Sequence, residues 1–397
     1  VTATSAAAAL AVDRARVATF SVFGFNGLLF ASWSARLPAV AGIFHLSPGG
    51  LGLLLLMTGL GSVVGLPLAG GLAGRFGTAA AIRMAGALLG TAMLVVAFSL
   101  IFGWLIPCGI ALFGYGFGMG IWDVSQNIEG AEVERRGTKT IMPKFHAAFS
   151  GGAFAGALLG GLLARLGVPL WLHLMAVVAL GAILIMIATR SFLPAHVDHD
   201  APRTSRWKPW TEPRTLLIGL VVLAAALTEG SANDWVAKAT VDSFHVGGSG
   251  GAIMFAVFVA SMTIFRYAGS ALLDRFGRVP VLRGCLTAAI VGLLIFVFAP
   301  NPYLAAVGAV LWGAGAALGF PVGMSAGADD PVHAAARVPA VSTIGYAAFL
   351  VGPPVLGFIG NHVGVRHSLL VVAVVCVVSL LSAPAVRPPQ NQEQRSR

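Results

Sequence analysis

Long apolar runs alternate along the chain with short polar, mostly basic segments. Residues 51–68, 85–101 and 369–383 are almost free of charge. A bilayer core takes about 20 apolar residues per helix. On that spacing the pattern predicts twelve spanning helices, at 17–43, 49–73, 80–101, 104–129, 142–164, 169–189, 214–240, 249–273, 281–299, 303–327, 338–360 and 366–383. The runs lack the two-residue alternation of an outer-membrane barrel strand and are about twice as long. The predicted fold class is therefore all-α, a polytopic membrane protein. The longest polar stretch, 190–213, lies between the sixth and seventh runs. It divides the chain into an N-terminal six-helix bundle over 1–190, a linker over 191–213 and a C-terminal bundle over 214–397 that ends in a short polar tail.

Composition agrees with the pattern. Apolar residues make up 57% and charged residues 10% of the 397, against about 25% charged in a soluble domain. An exterior facing water would have to be far more polar. The net charge of +10 raises the question of nucleic acid, and its distribution answers it. With the N-terminus inside, twenty of the 25 Lys and Arg fall in cytoplasmic segments. Only Arg36, Arg165, Lys238 and Arg366 fall outside, and Arg266 is left within a span. That is a positive-inside bias. It predicts a multi-pass protein of the bacterial cytoplasmic (inner) membrane with both termini cytoplasmic, no nucleic-acid partner, and membrane lipids as the contact of its basic residues. The first run follows Arg14 and Arg16 and is long enough to remain as a helix rather than a cleaved leader. Cys108, Cys285 and Cys376 sit inside apolar runs with neither a disulfide framework nor a metal spacing. In the linker, His196, Asp198, His199 and Asp200 admit a metal, but a polar loop accounts for them more simply. No metal or cofactor is expected beyond a proton gradient.

The two halves repeat one another. Phe44-His45 recurs as Phe244-His245, Arg75-Phe76-Gly77 as Arg275-Phe276-Gly277, and Arg83 as Arg283, all at an offset of 200. Leu112, Gly114, Gly116 and Gly120 match Leu311, Gly313, Gly315 and Gly319 at 199. Leu159-Gly160 and Gly167-Val168 match Leu356-Gly357 and Gly364-Val365 at 197. Two six-helix halves of the same orientation point to a transporter, in which the halves rock about a site near the midplane.

The repeated loops carry a family resemblance. Gly70-Gly71-Leu72-Ala73-Gly74-Arg75-Phe76-Gly77 and Gly269-Ser270-Ala271-Leu272-Leu273-Asp274-Arg275-Phe276-Gly277-Arg278 resemble the G-x-x-x-D-R-x-G-R signature of the major facilitator superfamily. The first copy has Gly74 where the acid belongs. The segments 122–127, 145–152 and 229–235 are similar to the fucose-permease-like bacterial branch. The resemblance covers the whole chain. It implies a monomeric secondary transporter with a small-molecule substrate, a cavity lined by the first, fourth, seventh and tenth helices, and cytoplasmic latches at Arg75, Asp274 and Arg275. It also implies acids on the first and fourth helices of related sugar permeases. Here the first span has none.

Polar residues within the spans are the candidate chemistry, because a central Asp, Lys or Arg costs about 2.5–3.5 kcal/mol. On the fourth span Asp123, Gln126 and Asn127 share one face through i, i+3, i+4 spacing, with Asp123 about 10 Å from the expected helix end. Glu229 and Asn233 lie one turn apart on the seventh. Asp123 and Glu229 are candidate proton carriers. The alternative for each is a structural acid, with Arg266 a possible partner of Asp123. Asn26, Gln126, Asn127, Asn233 and Trp312 are candidate substrate contacts. Arg36 and Asp234, at similar outer depths, are a candidate gate pair, which reversal of both charges would test. His146 is a candidate hinge or gate contact on the cytoplasmic side, and Arg266 is a candidate gating residue. The expected function is a proton-coupled transporter of a small polar solute, sugar-like or a metabolite. A drug or toxic-metabolite exporter of the same fold is the main alternative, although residues 156–161 lack the proline of the antiporter G-P-x-x-G-G ending. A non-transporting membrane sensor or lipid-handling protein is another. No nucleophile accompanies an orienting acid, so no enzyme is expected.

Overall fold

The computed structural model describes residues 3–137, 141–193 and 208–388. Most of the linker, including His196, Asp198, His199 and Asp200, lies outside the described residues, as do Lys139 and the polar tail beyond 388. The described residues are almost wholly helical and contain no strand. Twelve helices are long and apolar enough to cross a membrane: α1 (Ala9–Ser34), α2 (Pro48–Phe76), α3 (Thr78–Phe102), α4 (Leu105–Arg136), α5 (Lys144–Arg165), α6 (Leu170–Ser191), α7 (Pro213–Phe244), α8 (Gly248–Gly269), α9 (Arg278–Phe298), α10 (Pro302–Gly327), α11 (Arg337–Val363) and α12 (Val365–Val386). The chain is a multi-pass membrane protein. It divides into two compact units, Val1–Val197 with Val246–Ala256, and Asp198–His245 with Val257–Arg397.

Each unit is built by the same helix pairings. In the first, α1 packs on α5, α2 on α4, and α3 on both α4 and α6. In the second, α7 packs on α11, and α9 on both α10 and α12. There α8 meets α10 through Ser261, whose hydroxyl donates to the Val310 carbonyl at 2.6 Å. Lipid supplies no hydrophobic drive between helices, so close approach of small residues holds them. A Cβ on Gly152 would come within 1.8 Å of the Gly24 carbonyl oxygen, and one on Gly116 within 1.9 Å of that of Thr58. At these two crossings of α1 with α5 and α2 with α4, backbone lies directly on backbone.

The sequence repeat reappears as a repeat of backbone conformation. His45 and His245 are the two non-glycine residues with positive φ among the described residues, at 51° and 53°. Gly77 and Gly277 have φ of 83° and 77°, and Gly167 and Gly364 have 72° and 83°. Each pair ends or begins a helix at the same point of its unit. Other ends follow ordinary capping. The Ser47 hydroxyl accepts from the Gly50 amide ahead of Pro48, and Asn301 Oδ1 accepts from the Leu304 amide ahead of Pro302.

Several spans depart from the predicted ones, and three of them bear on the site. The first is helical from Ala3 and stops at Ser34, and Leu37–Ile43 forms a separate short helix. Pro38 lacks the N–H that continuation would need. The fourth runs past 129 to Arg136, because Glu132 gathers Arg135 at 2.7 Å and Arg136 at 2.5 Å on one face and keeps the polar turns helical. The tenth is two helices, Pro302–Ala316 and Gly319–Gly327. The guanidinium of Arg266 takes the Ala317 carbonyl at the break, at 3.1 Å. Pro321, four residues on, has no N–H for that carbonyl, so the ladder opens here and the guanidinium takes the freed acceptor.

Candidate functional site

In the first unit the polar face of α4 forms a chain of hydrogen bonds. Trp122 Nε1 donates to Gln126 Oε1 at 3.1 Å, and Gln126 Nε2 donates to Asp123 Oδ1 at 3.1 Å. Asn127 Nδ2 donates to the Asp123 carbonyl at 2.7 Å and reaches its Oδ1 at 3.5 Å. The side-chain spacing read from the sequence thus becomes a carboxylate held by two amides one turn further along the helix. Asp123 has no ion pair among the described residues. Gln126 is buried, while Asp123 and Asn127 are half-buried. Since α4 is longer than expected, Asp123 stands about 20 Å from its C-terminal end at ~1.5 Å per residue, deeper than the 10 Å that the sequence implied.

Asn26 on α1 is 1% exposed, and its Oδ1 has no hydrogen-bond partner among the described residues. Phe25 beside it stacks on Trp122, with ring centroids 6.4 Å apart. Asn26 shares this unused hydrogen-bonding capacity with other buried side chains among the described residues, Ser125 on α4 and Ser231 on α7 included.

The second unit carries a charge pair. Arg266 Nη2 donates to Glu229 Oε2 at 3.1 Å, and both side chains are about one-fifth exposed. This corrects the expectation that Arg266 would serve Asp123: its carboxylate is the one on α7. The same guanidinium reaches the break in α10 through Nε, so it joins α7, α8 and α10. Asn233 and Asp234 follow one turn along α7 and are half-buried, next to the fully buried Trp235.

Trp312 does not offer its ring to a solute. It is fully buried and packs edge-on against Phe258 at 5.3 Å and Phe296 at 5.8 Å. Small neighbours on α10 let the two phenyl rings close around it, and its role is core packing.

The remaining candidates lie toward the helix ends. Arg36 is 7% exposed and donates through Nη2 to the Val168 carbonyl at 3.0 Å, tying the turn after α1 to the turn between α5 and α6. Burial pulls its guanidinium below the usual arginine range. His146 is exposed, and its ring meets Phe23 edge-on at 5.4 Å. Arg75 and Arg275 each lie over the following phenylalanine, Phe76 and Phe276, at 5.2 Å, and Asp274 is exposed.

Two acids missed in the sequence organise these ends. Glu129 on α4 is fully buried and accepts from the Thr78 hydroxyl at 2.6 Å and the Leu193 amide at 2.8 Å. It holds the start of α3 right after the loop in which Gly74 replaces the signature acid. Asp329 accepts from Arg278 at 2.6 Å and Arg214 at 2.7 Å, so the arginine that closes the second signature loop is bound by an acid just past α10. Both acids lie at or beyond the ends of the predicted spans. The only signal for them was charge beside an apolar run.

Residues 218–397 match the family model described as Major Facilitator Superfamily. An uncharacterized MFS-type transporter of Yersinia pestis is 33% identical over 374 residues, covering 92% of this chain and 93% of its own. An uncharacterized transporter of Sinorhizobium fredii is 30% identical, covering 92% and 96%. Among solved structures, the nucleoside transporter NupG superposes with a TM-score of 0.70 at 16% identity over 93% of this chain and 98% of its own. FucP in the outward conformation superposes with a TM-score of 0.67 at 16% identity over 94% and 98%. These two show the same fold. With twelve helices in two like units, and relatives of this identity over nearly its whole length, the chain belongs to the major facilitator superfamily.

Proposed function

We propose that this protein is a secondary active transporter that couples proton movement to the passage of a small polar solute, sugar-like or a metabolite. It would act by alternating access in the bacterial cytoplasmic membrane, with both termini cytoplasmic. The carrying observation is Asp123. It is a carboxylate well inside an apolar span, fixed by Gln126 and Asn127 and free of any cation among the described residues. An acid so placed has two uses that a structural ion pair does not have. It can take and release a proton, and its open Oδ2 can accept a hydrogen bond from a solute hydroxyl. Glu229 is the second candidate for proton movement. Its pairing with Arg266 gives it a different task, in which a proton on Glu229 would release the guanidinium. Asn26, Gln126, Asn127 and Asn233 supply amide groups suited to a polyhydroxylated solute. The matched structures of a nucleoside transporter and a fucose:proton symporter support a polar organic solute by analogy of fold alone.

The test uses proteoliposomes holding a pH-sensitive dye, challenged with monosaccharides, polyols, nucleosides and small organic acids under an imposed pH gradient. One solute class should bring protons with it. Asp123→Asn should lower that proton-coupled flux at least about tenfold, in the range of losing one positioned proton-transfer group, and keep exchange of the solute against itself. If no solute and no gradient drives flux through the wild type, the transport reading fails. If ethidium-type dyes are moved and the polar solutes are not, the substrate is that of an exporter instead.

A further inference from the structure

On the first unit, α1 and α6 enclose a groove of about 640 Å³ that none of the transport chemistry uses. Its walls are apolar, with Val17, Leu180, Ile183, Leu184 and Ile187 among them. Val17, Ile183 and Ile187 are each about 60% exposed, so this apolar surface is left uncovered by the described residues. Polar groups gather at one end, where Asp13, Arg14 and Ser191 line the mouth.

Two further facts define an occupant. Asp13 pairs with Arg16 at 3.1 Å, while Arg14 has no ion pair among the described residues. The mouth therefore keeps one uncompensated guanidinium. Along α6, Leu180 to Ser191 covers roughly 16 Å at ~1.5 Å per residue, about half of a hydrocarbon core near 30 Å thick. The groove thus reaches from a charged rim to the middle of the bilayer, the depth of one leaflet. A free phosphate has no use for such a wall, and a soluble partner would not reach it.

We propose that this groove is a binding site for one anionic glycerophospholipid. Its phosphate would lie on Arg14, assisted by the Ser191 hydroxyl, and an acyl chain along the α6 face from Ile187 to Leu180. The orientation proposed above puts the site in the cytoplasmic leaflet. The binding chemistry requires only that the Arg14 end lie at a membrane surface, so the site stands or falls apart from the transport reading.

The test is native mass spectrometry of the full chain, purified in mild detergent and offered equal amounts of palmitoyl-oleoyl phosphatidylglycerol and phosphatidylethanolamine. The wild type should retain phosphatidylglycerol about fivefold over phosphatidylethanolamine, the ratio expected for one basic residue at an anionic lipid. Arg14→Gln should bring the ratio close to one, and Arg14→Lys should keep most of it. Ser21→Trp, which fills the groove from its α1 wall, should lose both lipids. Arg165→Gln, at the far end of the same unit, should leave the ratio unchanged. Equal retention by the wild type, an undiminished preference in Arg14→Gln, or full lipid retention in Ser21→Trp would each overturn the proposal. Arg14 is exposed, and an unaltered melting temperature of its variants will confirm that they are folded.

Discussion

Arg266 shows how a charge survives inside a membrane span. Its guanidinium has the Glu229 carboxylate and the Ala317 carbonyl as acceptors, and Met262 Sδ lies at 3.7 Å. The pair is only partly dry, since each side chain keeps about one-fifth of its exposure. Removing one partner leaves the other charge uncompensated, which in buried pairs costs about 3 kcal/mol or more. Arg266→Gln should therefore lower the unfolding free energy in detergent by about 3 kcal/mol, at the lower end of that range because of the residual exposure. The double variant Glu229→Gln with Arg266→Gln should lose less than the sum of the singles, with a coupling of about 1–3 kcal/mol. Additivity of the two single changes in denaturant titrations would show that the contact carries no energy. Asp123 differs in kind. Its partners among the described residues are neutral amides, and no ion pair there opposes protonation.

At the scale of elements, helix ends are where the two halves agree most closely. His45 and His245 follow Phe44 and Phe244 at an offset of 200, and both take a left-handed conformation. An L-residue with a Cβ pays roughly 1–2 kcal/mol to sit there, while glycine does so freely. Of two variants that both lose the imidazole, His45→Gly should exceed His45→Ala in stability by about 1 kcal/mol. The same order should hold at His245, read as melting temperatures. A reversed order would mean that the turn relaxes to negative φ in solution. The break in α10 belongs to this scale too. The run from 303 to 327 does carry a stop, because Pro321 has no N–H to offer the Ala317 carbonyl four residues earlier. The arginine of α8 satisfies the carbonyl that this proline leaves free.

At the scale of the molecule, the second unit is closed at one end by an ionic network that gathers residues far apart in sequence. Arg214 binds Asp329 and the carbonyls of Ala385 and Arg387. Arg337 binds Glu212 at 2.6 Å and Asp330 at 3.3 Å. The Arg337 guanidinium beside Glu212 holds that carboxyl below the usual glutamate range. A group whose folded pKa is depressed contributes stability above its unfolded pKa, near 4.3, and loses it as pH falls through the folded value. Wild type should thus melt above Glu212→Gln by a constant margin between about pH 6 and 8, and the margin should close below about pH 4. A margin independent of pH down to 3 would mean that the ion pair contributes nothing beyond packing.

Much of this protein is written in its residue order. Apolar runs of membrane length force helices, because an unpaired peptide group is too costly in lipid for any other spanning form except a closed barrel. The matched Phe-His, Arg-Phe-Gly and Gly-Val pairs declare the duplication before any coordinate is known, and i, i+3, i+4 spacing alone puts Asp123, Gln126 and Asn127 on one face. These are local properties, set by the backbone within a turn or two. The partner of Arg266, the burial of Trp312 between Phe258 and Phe296 and the grip of Glu129 and Asp329 on the signature loops are of another kind. Each joins helices separated by tens of residues. In an apolar solvent, a buried polar group takes whichever partner the packing brings near, and only the tertiary structure decides which that is.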